Sequence, residues 1–268
     1  METTMNSRFV SLVVFLGLLA ARAPSQPTSQ APAFDVAAIR PSDPMLRSNG
    51  CFIKGQPGGQ TFVGRCITLR LLITYSYKII DSQLVGGPSW MDSELYDFDA
   101  KADHSLTREE LAPMFQAMLA DRFKLQFHRD TRTMPALVLT VDKGGTKMQA
   151  NDGPNEWVIA ILPAPGASIP KFKGTRCPTS YLSWWIAQRQ NRPVVDQTGL
   201  GGFWDFTLEF VPDGLVEGRK GPTGEPLPPM EGPSLPAALR EQLGLKLEPE
   251  KAPVEVYVID HLEKATGN

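Results

Sequence analysis

Apolar side chains at Leu111, Met114, Phe115, Met118 and Leu119 recur at the spacing of one face of an α-helix. Ahead of them Thr107 and Glu110 form a capping box, in which each side chain satisfies an orphan backbone donor. A second such face, Leu69, Leu72 and Ile73, follows Thr68 as N-cap, and a third, Leu182, Trp185 and Ile186, follows Thr179. Ser234 opens a fourth helix. Elsewhere the period falls to two, predicting strands over residues 34–39, 94–100, 157–162 and 203–210, and a glycine-turn hairpin over residues 51–65. Phe123, Leu125 and Phe127, a turn at 129–133, then Leu137, Leu139 and Val141 predict a hairpin that closes the first half of the chain. Val254, Val256 and Val258 predict its counterpart at the end. Helices packed on mainly antiparallel sheet, an α+β fold, is the expectation.

The pattern recurs along the chain. Gly64, Cys66, Thr68 and Leu71 are answered by Gly174, Cys177, Thr179 and Leu182, Tyr96-Asp97-Phe98 by Trp204-Asp205-Phe206, and residues 119–127 by 239–247. Landmarks repeated in the same order predict two tandem copies of a strand-helix-strand-helix-hairpin module, over residues 33–152 and 153–268. The second copy carries an insertion, residues 212–236, dense in proline and glycine, which reads as an irregular, partly polyproline-like loop. Irregular loops are also where binding residues collect, and Pro228 and Pro229 are its candidates.

Arg8 followed by an apolar run over residues 9–21 and small residues Ala23 and Ser25 has the layout of a signal peptide, residues 1–25, with a tether at 26–32. An uncleaved N-terminal anchor is the second reading. A secreted or periplasmic location and a mature chain without a transmembrane segment are expected. The formal net charge is −2, and one anion and two cations leave with the leader, so nothing recruits nucleic acid. In an oxidising compartment Cys51, Cys66 and Cys177 allow one bridge and one free thiol. Chain proximity favours Cys51 with Cys66; matching repeat positions favour Cys66 with Cys177. Without a C-x-x-C or close His pair, no metal site is expected.

Catalytic motifs are sparse. There is no G-x-S-x-G, H-E-x-x-H, P-loop or dinucleotide fingerprint, so no catalytic residue and no cofactor is assigned. His104, His128 and His261 are scattered and read as surface residues. Asp97 and Asp205 each lie between aromatics on a strand, where alternation turns a side chain away from the core, and they are binding candidates. Trp90, after a Gly-Gly-Pro-Ser break, is a candidate exposed anchor, with packing as its other reading.

Residues 34–43, 86–90 with Tyr96-Asp97, 118–125, 192–200, 241–247 and 253–261 together resemble a large family of secreted proteins of unknown function, expanded in soil acidobacteria. The resemblance covers nearly the whole mature chain and implies no catalytic residue. It departs from the family's usual Tyr-Asp-Phe of the second half only in having Trp204. Residues 107–125 and the elements after them also resemble the short N-terminal domain of secretins and TonB-dependent receptors, which implies protein contacts in the cell envelope. The leading expectation is a non-enzymatic binding protein whose partner is an envelope or extracellular protein or a small ligand. An envelope hydrolase using Asp or His is the first alternative. A sensor of envelope stress or cell-wall-active compounds is the second, implied by fusions of similar domains to membrane metallopeptidases.

Overall fold

A computed structural model describes residues 32–43, 50–55, 58–154, 156–162, 169–213, 225 and 230–265. The proposed leader and nearly all of its tether lie outside these residues, as do Pro228, Pro229 and most of the 212–236 insertion.

The fold is α+β, with three four-stranded, mostly antiparallel sheets. The first sheet orders β1 (Val36–Pro41), β5 (Leu95–Lys101), β3 (Thr61–Thr68) and β2 (Phe52–Lys54) side by side. The third orders β7 (Gln149–Ala150), β11 (Trp204–Glu209), β9 (Lys171–Cys177) and β8 (Val158–Leu162). Between them in the element pattern stands a sheet of β10 (Val194–Asp196), β6 (Gln126–Val141), β12 (Leu245–His261) and β4 (Leu84–Val85).

Local chemistry explains the helices. In α1 (Leu69–Tyr77) the Thr68 hydroxyl accepts the Leu71 amide at 3.2 Å, and Leu69, Leu72 and Ile73 are buried. In α3 (Arg108–Phe123) both halves of the Thr107–Glu110 capping box form, and all five residues of the predicted face are buried. A short α2 (Trp90–Ser93) lies between them. In α4 (Thr179–Gln190) the N-cap is Pro178, not Thr179, whose hydroxyl instead donates to the Leu200 carbonyl at 3.2 Å. Ser234 is the N-cap of α5 (Leu235–Ala238) without a side-chain capping bond, and a π-helical turn at Leu239–Leu243 follows it.

The closing hairpins do not form. Residues 126–141 run as one strand of 16 residues and 245–261 as one of 17, paired antiparallel along almost their full lengths with Thr133 opposite Pro253 near the middle. The segment 129–133 has no glycine or proline to supply a turn, and its exposed polar side chains mark a solvated ladder face. Pro135, Pro249 and Pro253 fall outside the stretches of the two long strands that β10 and β4 pair, which is where a residue without an N–H is tolerated.

The outer strands of this sheet are exchanged. β4, from the first half of the chain, pairs parallel with β12, and β10, from the second half, pairs parallel with β6. One core therefore joins α1, α3 and the first sheet to Tyr257 of β12. The other joins α4, α5 and the third sheet to Leu137 and Leu139 of β6. Ala136, Val138, Ala252 and Val254 fill the ladder between them.

Candidate functional site

The first and third sheets share a local device. On β5, Tyr96 and Phe98 face the core, and on the alternate side the Asp97 carboxylate accepts the Ser42 hydroxyl at 2.6 Å and the Cys66 amide at 3.0 Å. On β11, Asp205 accepts the Asn151 side-chain amide at 2.9 Å and the Arg176 amide at 2.7 Å. Cys66 and Arg176 are each a bulge residue at φ 47°, a left-handed conformation that costs a side-chain-bearing residue energy. The carboxylate offsets that cost by giving the turned amide an acceptor. The match by geometry is thus Cys66 with Arg176, one residue away from the cysteine-to-cysteine alignment. Accordingly Cys66 bonds Cys51, at a Cα–Cα distance of 5.0 Å, and Cys177 is a free, buried thiol.

Asp97 is on the face that alternation predicts, yet it is only 4% exposed, because Arg40 and neighbouring chains cover it. Burial pushes its carboxyl up, but the Ser42 and Cys66 hydrogen bonds with Arg65 and Arg40 together outweigh burial and hold it below the ordinary value. Around it Asp99 pairs with Arg65 at 2.7 Å and Arg40 at 3.2 Å, closing that face under an ion lattice.

The third sheet lacks this lattice. Gln149 stands opposite Asp205 where Arg40 stands opposite Asp97. Thr175 follows Gly174 where Arg65 follows Gly64, and Thr207 takes the place of Asp99 two residues beyond the aspartate. Short polar chains leave an open cleft of about 320 Å³, lined by Lys147, Gln149, Lys173, Gly174, Asp205, Phe206 and Thr207. Lys147 donates its ammonium to the Glu241 carbonyl at 2.6 Å, which fixes it at the rim. The cleft thus offers an amide, a hydroxyl and two ammonium groups around a carboxylate already held by its own strand neighbours. Sequence reading finds Asp205 here but misses Lys147, Gln149, Lys173 and Thr207. Their signal is the register, since Lys173 faces Thr207 and Gln149 faces Asp205 across strands.

A second cationic cluster lies where α1 meets α4. Lys78, the left-handed C-cap of α1, places its ammonium 4.1 Å from the Tyr75 ring centroid and 4.7 Å from that of Trp184. Burial, and then the like charge of Arg108, lower its pKa to about 8. The void there is about 20 Å³, room for roughly one water.

Trp90 starts α2 half-buried against the first core, with the Lys264 ammonium 5.7 Å from its ring. It is in neither cluster. His104, His128 and His261 are exposed and each contacts a nearby carboxylate, Asp103, Asp260 and Glu263 respectively. Among the described residues no group of three or more His, Cys, Asp or Glu side chains is placed to hold a metal. No described helix is long and apolar enough to cross a membrane.

The chain belongs to the family described as "Protein of unknown function (DUF3738)", whose model matches residues 70–262, from α1 to the end of β12, and so covers the long ladder and the third sheet but not β1, β2 and β3 of the first. No curated protein and no solved structure matches it.

Proposed function

We propose that the protein is a secreted or periplasmic binding protein of two copies of one α+β module, which holds a small hydrophilic, carboxylate-bearing ligand in the third-sheet cleft and releases it unchanged. The observation that carries the binding reading is the difference between matching sheet faces. Where Arg40, Arg65 and Asp99 close one, Gln149 and Thr207 line an open cleft on the other beside Lys173 and Lys147. Ammonium, amide and hydroxyl donors around a shallow space suit a carboxylate on a polar molecule. Both aspartates accept backbone amides at the two bulges, a structural task that accounts for their place in the two sheets.

The duplicated module is supported by the shared sheet orders, the paired bulges, the two aspartates and the reciprocal exchange of β4 and β10. Export is supported by the leader pattern and by the Cys51–Cys66 bond, which needs an oxidising compartment to persist. N-terminal sequencing of exported protein is expected to begin after Ser25. The acidobacterial expansion and the secretin-like module rest on the sequence resemblance alone.

Binding is tested by amide NMR shifts of the mature chain against a panel of amino acids, short peptides and uronic acids. Shifts grouped at Gln149, Lys173, Gly174 and Thr207, and lost in Lys173→Ala, support the reading. A panel without such shifts overturns it, and a ligand consumed during titration moves the protein to the hydrolase class.

A further inference from the structure

The two sheets also differ at an edge. β2, the last strand of the first sheet, has 3 residues, ends on Lys54 and follows Cys51, whose disulfide ties it to β3. A short, charged, tethered strand is a poor template for pairing. β8, in the same place on the third sheet, has 5 residues, Val158-Ile159-Ala160-Ile161-Leu162, without a charge or a proline. Among the described residues nothing pairs with its outer edge. Ile161 is 66% exposed, more than any other large hydrophobic residue described, although it lies opposite the buried Phe172 on the face that carries the core.

The sequence of β8 is close to a palindrome. Antiparallel pairing of β8 with itself about Ala160 sets Val158 against Leu162, Ile159 against Ile161 and alanine against alanine. The half-buried Ile159 of each copy would then cover the exposed Ile161 of the other. That self-complementarity is what an isologous contact requires. We infer that β8 is a homodimer interface, joining two third sheets edge to edge into one continuous antiparallel sheet of eight strands.

A pair of five-residue strands buries less than the roughly 1,000 Å² of a stable interface, so the dimer is expected to be weak, with a dissociation constant on the order of 10–100 μM. It stands whether or not the binding reading does.

Sedimentation velocity on the mature chain, from about 1 to 500 μM, is the test. The mass is expected to rise towards that of a dimer with concentration, and Ile161→Lys, at an exposed site, to weaken association by about tenfold or more while the thermal midpoint holds. In a Cys177→Ser background, Ala160→Cys is expected to cross-link across the axis under mild oxidation, and Lys54→Cys, on the β2 edge, is not. A wild-type chain that stays monomeric, an unchanged constant in Ile161→Lys, or an Ala160→Cys chain that does not cross-link each overturns the proposal.

Discussion

The ring of Phe98 occupies the space in which Gly64 would carry a side chain: a Cβ built on Gly64 falls 2.0 Å from the Phe98 Cε1. Gly174 has the same relation to Phe206, at 2.3 Å from its Cε1. The two pairs sit directly opposite across neighbouring strands, so the glycines let an aromatic ring lie flat over the backbone.

Gly64→Ala and Gly174→Ala are therefore expected to destabilise the fold by about 1–3 kcal/mol each, the range for forcing extra volume into a packed core. Urea denaturation with unchanged m-values checks this. Phe98→Leu is expected to recover part of the Gly64→Ala loss in a double-mutant cycle, because it removes the colliding ring.

Removing the carboxylate at Asp97 or Asp205 leaves a turned backbone amide without its acceptor. Asp97→Ala is expected to cost roughly 1–3 kcal/mol, and Asp97→Asn less, since its amide oxygen still accepts. The Asp97 carboxyl has a folded pKa below its ordinary 3.8, so its stabilisation is present above that value and is lost as pH falls through the folded one. Acid titration of stability is expected to be shallower below pH 3.8 in Asp97→Asn than in the wild type.

Lys78 works in the other direction. Its folded pKa of about 8 lies below its ordinary 10.5, so between those values the unfolded chain binds more protons and stability rises with pH. Cys177, pushed up by burial from 9.0 to about 12, opposes this from about pH 9, and Tyr77 and Tyr96, pushed up to about 12 chiefly by burial, oppose it above pH 10. Read from pH 8 to roughly 9, the slope is expected to be lower in Lys78→Met than in the wild type, and the substitution also removes the cost of burying the charge at neutral pH.

The thiol of Cys177 is expected to be inert in the folded chain. Burial pushes its pKa up to about 12, so almost no thiolate forms at pH 8. Thiol labelling at that pH is expected to follow the rate of unfolding. In denaturant without reductant it should modify Cys177 alone, with Cys51 and Cys66 following only after reduction.

Local chemistry was legible where one segment suffices to decide it. Thr107 with Glu110, and Thr68 ahead of Leu69, Leu72 and Ile73, mark helices because caps and periodic faces lie within a few residues of one another. The candidate cleft was legible only at Asp205, since its other walls come from β7, β9 and the chain before β7, and nothing local relates them. The shared cysteines were a misleading landmark: the feature that matches Cys66 is a backbone conformation at Arg176, which many side chains can carry.

Composition and periodicity by themselves determined the α+β class, the helix faces and most of the strand positions, because these follow from short-range spacing of apolar residues. Tertiary structure decided the rest. Residues 126–141 pass from an exposed polar stretch to a buried apolar one, and 245–261 have an exposed stretch at 249–251 between buried ones, a pattern shared by a hairpin and by one long strand with a solvated segment. Only the partner strand separates the two, and each supplies the other with a ladder along almost its full length from the far half of the chain. Asp97 is likewise polar and outward by alternation, yet buried, because Arg40 on a distant strand decides whether that face is open. Pairing between remote segments sets both outcomes, and spacing along one segment carries no trace of it.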